Sequence, residues 1–221
     1  MSLKDYFEVQ KNNLNKALQF EPFAVPLSGV DELYETALQA IPLEGPPVFG
    51  GFVLFCHKSF LAAASLVGQA QPDDASPITR RAIEAVRLAA AIKENPANLQ
   101  EWIAFEERMK RWQARQEGKK PGSLFVRIGV KHPVILELME TWGILSDASV
   151  HFTPEYFASL GWIKGDTLRY FTDDQRILER EIALLAATHG KILHVLNWCL
   201  DGAFGRNTQW MRLMSELYGK R

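Results

Sequence analysis

The stretch from residue 48 to residue 67 carries apolar side chains on nearly every side of a helical wheel, and this limits what the chain can fold into. At about 100° per residue, Phe49, Cys56, Phe60, Ala63 and Val67 share one face, Phe52, Phe55, Ala62 and Leu66 a second, and Leu54 with Leu61 a third. A helix apolar all round is either wrapped by other helices or crosses a membrane. The length suits a span, but His57 and Lys58 lie at its midpoint, where each is costly in hydrocarbon, and the rest of the chain offers no second span. We therefore expect a central core helix and no membrane partner. Its polar interruptions, His57, Lys58, Ser59 and Ser65, need an explanation.

The segments around it carry helical spacing as well. Residues 2–18 place Leu3, Phe7, Leu14 and Leu18 on one face. Pro22 and Pro26 suggest an extended connector, followed by a helix over 30–41 with Ser28 as its N-cap. Ser76-Pro77 reads as an N-cap and first helical residue, so a helix should start at Pro77 or Ile78. Its stripe of Ile78, Ala82, Ala85, Val86, Ala89 and Ile92 allows close approach to the central helix, which makes the pair an αα-hairpin. Asn95-Pro96 opens another helix, bearing Leu99, Trp102, Phe105, Met109 and Trp112, and residues 133–142 form a further one.

Toward the C-terminus the spacing predicts a short helix from Thr153-Pro154-Glu155 to residue 160 and a small β-hairpin around Gly165-Asp166 within 162–170. Thr172-Asp173-Asp174-Gln175 has the spacing of a capping box and starts a long helix to about residue 200, and a last helix covers 208–218. The predicted fold class is all-α, a helical bundle around the central hairpin, with that β-hairpin as its only exception. No polar or Gly/Ser-rich run divides the 221 residues, so one domain is expected, with a basic hinge near 115–123.

Composition removes several classes of function. A net charge of −1 gives no global attraction to nucleic acid or anionic lipid, so such a partner needs a local patch. Met1-Ser2-Leu3-Lys4-Asp5-Tyr6 is not a basic region followed by an apolar one, so the cytoplasm is the expected compartment. Cys56 and Cys199 lie in apolar patterns and read as two buried thiols. There is no CxxC, zinc spacing, HExxH, Walker loop, nucleophile elbow or GxGxxG, so no metal or cofactor is expected.

Three groups of polar residues remain. His189 falls in the middle of the apolar face of the long C-terminal helix, where burial makes it a structural histidine or a site histidine. Arg81 borders the buried stripe of its helix, so its guanidinium could reach toward His57 or Ser65. A cluster of His57, Arg81 and Glu84 would bind a phosphate or carboxylate. Between residues 108 and 131 there are eight Lys and Arg and one acid, Glu117. There Lys110, Arg111, Arg115, Lys119 and Lys120 surround Trp112, giving either a solvated face or the phosphate contacts and stacking ring of a single-strand binder.

The runs Phe55-Cys56-His57-Lys58-Ser59-Phe60-Leu61-Ala62-Ala63-Ala64-Ser65 and Thr79-Arg80-Arg81-Ala82-Ile83-Glu84-Ala85-Val86-Arg87 resemble uncharacterised all-helical bacterial proteins related to the HEPN-like superfamily, over residues 48–115. The resemblance implies a helical bundle that forms dimers and a link to nucleotides or RNA. Active members of that superfamily carry Arg, four to six residues, then His. Here Arg127 and His132 have that spacing, but with Ile128 after the Arg, Gly129 within and Pro133 following, which do not suit a helix. Arg206 is better placed, but no His follows it. The expected function is a binding or interaction module for an anionic ligand, nucleotide or RNA. The rivals are an HEPN-like ribonuclease on Arg127 and His132, a small hydrolase on the His57, Arg81 and Glu84 cluster, and a homo-oligomeric structural protein such as a homodimer.

Overall fold

The computed structural model describes residues 2–42, 47–115, 129–149, 171 and 174–219. Among these the chain is all-α and contains no strand: α1 (Leu3–Leu18), α2 (Glu21–Gln39), α3 (Pro47–Gly68), α4 (Pro72–Glu94), α5 (Ala97–Arg115), α6 (Pro133–Ser149), α7 (Gln175–Cys199), a 3-10 turn (Phe204–Arg206) and α8 (Thr208–Tyr218). The short helix predicted after Thr153, the β-hairpin of 162–170, residues 116–123 of the basic hinge, and Thr172 and Asp173 of the capping box lie outside the described residues.

The most extensive pairing is α3 with α4. It is close because α4 turns Ala82, Ala89, Ala90 and Ala91 inward, all fully buried, and the Cys56 thiol rests against the Ala82 carbonyl. A turn through Gln69–Gln71 joins the two helices. At Gly68 any Cβ would press within 2.9 Å of both Leu14 Cδ1 and Phe23 Cζ, so this glycine lets α1 and α2 close over the end of α3. α7 packs on α2, α3 and α4, and α6 on α4 and α7, completing a core that contains Phe60, Ile83, Leu138, Leu196 and Phe204. Cys56 and Cys199 are both free and buried.

Two helix starts differ from expectation for the same reason. α2 begins at Glu21 and not near residue 30, and α4 begins at Pro72 and not at Pro77. In each, one proline occupies the first turn, where its missing N–H costs nothing, and a second, Pro26 or Pro77, sits inside the helix. An interior proline costs about 3 kcal/mol. Extending α2 back to residue 21 buries Phe23 and Leu27 on the same stripe as Val30 and Tyr34, and each such side chain contributes about 1.5–3 kcal/mol. In α4 the gain is Pro72, Ala75 and Ser76 buried, with Asp73 and Asp74 at the positive end of the helix dipole. The segment predicted as a helix over 133–142 runs on to Ser149. The α7 cap is Asp174, whose carboxylate accepts from the Arg176 N–H, and Asn207 caps α8 in the same way.

α3 is not wrapped all round. Leu54, Phe55, Lys58, Leu61 and Ala62 are exposed along one side. By length and composition α3 is long and apolar enough to cross a membrane, with 44% of its most apolar window buried inside the protein.

α1 is attached differently from the rest. It buries no residue completely, and Leu3, Phe7 and Leu18 face outward. It is held by a polar seam in which Gln71 Nε2 donates to the Tyr6 hydroxyl, Gln10 donates to Gln71 Oε1 at 2.7 Å, and Asn13 donates to the Gln69 carbonyl at 3.2 Å.

The last helix docks through a glycine. Tyr218 lies across Gly190 of α7, donates to the Ala186 carbonyl at 2.7 Å, and occupies the space a Cβ at residue 190 would need. Gly190→Ala is expected to destabilise the protein by about 1–3 kcal/mol through overpacking. Urea unfolding checks this, because the same substitution placed in a Tyr218→Ala background should then cost almost nothing.

Candidate functional site

The polar residues of α3 divide between its two sides. His57 faces α2: its Nε2 lies 2.7 Å from Asp31 Oδ1, and its ring stacks on Tyr34 with centroids 5.1 Å apart and planes within 13°. Tyr34 is fully buried, and its hydroxyl lies 2.8 Å from Nδ1 of His189 on α7. Phe60 closes the group, edge-on to His189. The second nitrogen of His189, Nε2, is buried with no hydrogen-bond partner. If the phenol donates to Nδ1, the unsatisfied group is the Nε2–H. A doubly protonated ring could give only its Nδ1–H to the phenol oxygen and would leave the Nε2–H bare; burial first, then the nearby His57, lowers the His189 pKa to about 3. Burial likewise raises the Tyr34 phenol well above its ordinary range. His57, Tyr34 and His189 thus hold α2, α3 and α7 together.

The remaining α3 hydroxyls are also occupied. Ser59 donates to the Phe55 carbonyl at 2.9 Å, and Ser65 accepts from Gln69 at 2.8 Å.

The opposite side of α3 borders an open groove of about 570 Å³ between α3, α4 and α5. Phe52 and Phe55 of α3, Arg81, Glu84 and Leu88 of α4, and Trp102 and Glu106 of α5 line it. The Phe52 and Trp102 rings sit 5.9 Å apart and tilted. Arg81 is exposed and lays its guanidinium 5.7 Å over the Phe55 ring. Its neighbour carboxylate, Glu84, is engaged elsewhere: Oε1 accepts from Arg80 Nε at 3.2 Å and from the Trp142 indole N–H at 2.9 Å. Arg80 in turn covers the Trp142 ring at 5.0 Å. Arg81 therefore has no carboxylate partner among the described residues. The structure brings Arg81 and Glu84 into one groove and does not bring His57 to them.

The other predicted residues are spread out. His132 precedes α6 with its ring 4.6 Å from Trp198 and 6.3 Å from His194. Its backbone N–H and that of Lys131 both donate to the Glu94 carboxylate. Desolvation first, then the nearby His194, lowers the His132 pKa, while Glu94 opposes the shift. Arg127, its proposed partner, lies outside the described residues, as do Lys119 and Lys120. Lys110 and Arg111 are exposed on the last turns of α5, Trp112 is half-buried beside them, and Arg115 ends the helix. No group of three or more His, Cys, Asp or Glu that could hold a metal ion occurs among the described residues.

Sequence reasoning did not find Trp102 and Glu106 as groove residues, nor Asp31 as the partner of His57. Trp102 and Glu106 are one helical turn apart, so their shared face was legible. That this face looks onto Arg81 depends on how α5 crosses α4. Comparison of the chain with protein-family models, curated proteins and solved structures finds no match.

Proposed function

We propose that this protein is a helical binding module that takes an anionic, aromatic ligand of the nucleotide class in the groove between α3, α4 and α5. The observation that carries this reading is Arg81, an exposed guanidinium with no carboxylate partner among the described residues, held on Phe55 at the rim of a groove containing Phe52 and Trp102. A guanidinium offers a two-pronged donor set matched to phosphate, and an indole offers a face on which a base can stack. Glu106 supplies a carboxylate able to accept from an exocyclic amine. The groove volume lies within the range of small-molecule sites, roughly 300–1,000 Å³. Lys110 follows Glu106 by one turn and is exposed, which favours a longer RNA extending along α5. On this reading the chain is one bundle domain that binds its ligand in the cytoplasm.

Titration calorimetry with AMP, GMP and a short single-stranded RNA tests the proposal, with the RNA repeated at two salt concentrations. Arg81→Ala is expected to weaken binding about 10- to 100-fold, the loss of a charge-assisted hydrogen bond worth about 1.5–3 kcal/mol. Its Tm should not change, because the side chain is exposed. Absence of binding by all three ligands, or equal affinity in the variant, would overturn the reading.

A further inference from the structure

A second groove opens at the N-terminal end of α5, adjoining the first at Val48. It has a volume of about 530 Å³, and its floor is apolar: Phe49 from α3, Ile92 from α4, Leu99 from α5 and Leu200 following α7. The rim carries Lys93, Asp201 and Arg206. The N-terminal turns of α3 and α5 meet the C-terminal ends of α4 and α7 here, so the helix dipoles offset one another and the side chains set the sign of the field.

Those side chains carry an excess of positive charge. Lys93 is paired with the Asp201 carboxylate. Asp201 adopts φ 55, a left-handed conformation that is uncommon outside glycine, followed by Gly202 at φ 72. The Asp201 side chain is 81% exposed, while that of Lys93 is 25% exposed. The lysine is therefore the better shielded member of a pair whose other member sits in water. Arg206 ends the 3-10 turn, is exposed, and has no carboxylate partner among the described residues. The Glu94 carboxylate keeps its charge but does not line the groove; it turns to the backbone N–H groups of Lys131 and His132 and forms no ion pair with Arg206.

We infer that this groove is a binding site for an amphipathic carboxylate, an aliphatic acid whose chain lies on Phe49, Ile92, Leu99 and Leu200 and whose head group is held by Arg206. Lys93 provides a second donor, which the head group gains by displacing the exposed Asp201. An apolar body alone would leave the guanidinium unpaired, and a small anion alone would leave the floor in water. The site therefore selects for both parts in one molecule. The inference is independent of nucleotide binding at Arg81.

Calorimetry with decanoate, decanol and acetate, at fixed ionic strength, tests it. Decanoate is expected to bind saturably at one site, with decanol and acetate at least about tenfold weaker, the loss of one charge-assisted contact or of the apolar burial. Arg206→Ala should weaken decanoate about tenfold or more without changing its Tm. Leu99→Trp, which fills the groove from the half-buried face of α5, should abolish binding. Arg81→Ala should leave decanoate affinity unchanged, whatever it does to nucleotides. The inference is overturned if decanoate does not bind, if decanol binds as tightly, or if Arg206→Ala binds decanoate like the parent protein. It is overturned equally if Arg81→Ala is the variant that loses decanoate.

Discussion

Lowering the pH from 7 to 5 is expected to cost this protein about 2 kcal/mol of stability through His189 alone. In the folded chain burial lowers the pKa of this imidazole to about 3, against an ordinary 6.5. Between those values the unfolded chain binds a proton that the folded chain refuses, so acid favours unfolding. The contribution is fully present above pH 6.5 and is lost at about 1.4 kcal/mol per pH unit as the pH falls toward 3. His132 is shifted in the same direction and adds to the slope, more weakly because it is only partly buried. Urea unfolding at pH 7, 6 and 5 measures the effect. The variant His189→Gln keeps a hydrogen-bonding group near Tyr34 and cannot titrate, so its stability should fall less steeply with acid. An unchanged slope in that variant would show that other groups carry the pH dependence.

Phe60→Ala is expected to be the most damaging single truncation near this network, at about 3–5 kcal/mol. The ring is 1% exposed and contacts both Tyr34 and His189. Removing it loses the transfer free energy of the ring and opens a cavity against the His189 imidazole, whose Nε2 is unsatisfied. Such a cavity is polar at one edge and large enough for water, which would hydrate the imidazole. The variant should therefore lose stability at pH 7 and also show a shallower loss between pH 7 and 5. Phe60→Leu, which refills most of the space, should recover much of the stability and restore the steep acid dependence. A Phe60→Ala slope as steep as that of the parent protein would mean that the cavity collapses without admitting water.

How much of this was legible in the sequence depends on the distance over which each signal acts. The central helix, the α3–α4 hairpin and the span of α8 follow from periodicity and capping residues, which are local. The starts of α2 and α4 were misplaced because Pro26 and Pro77 look like boundaries when read locally, whereas the burial that overrides them comes from other helices. His189 was legible as a buried histidine, but its partner Tyr34 lies 155 residues away. The same limit applies to the candidate site. Arg81 was found because it borders a buried stripe. That Glu84, one turn away, does not pair with it follows only from Glu84 being occupied by Arg80 and Trp142, the latter 58 residues away. Arg206 drew attention only as an Arg without a following His, and nothing local linked it to Lys93 and Asp201, since the groove they rim exists only where four helix ends meet.

The attachment of α1 through amides and a phenol, with little apolar burial, gives it a temperature dependence unlike that of the core. Releasing it exposes little apolar surface, so the heat-capacity change of release is small and its free energy varies almost linearly with temperature. The core, built on apolar burial, follows a curved profile and weakens on chilling. Cooling therefore tightens the hold on α1 while the interior beneath it loses stability. On warming, α1 is expected to open ahead of the core helices, as a sub-global event that precedes the cooperative transition.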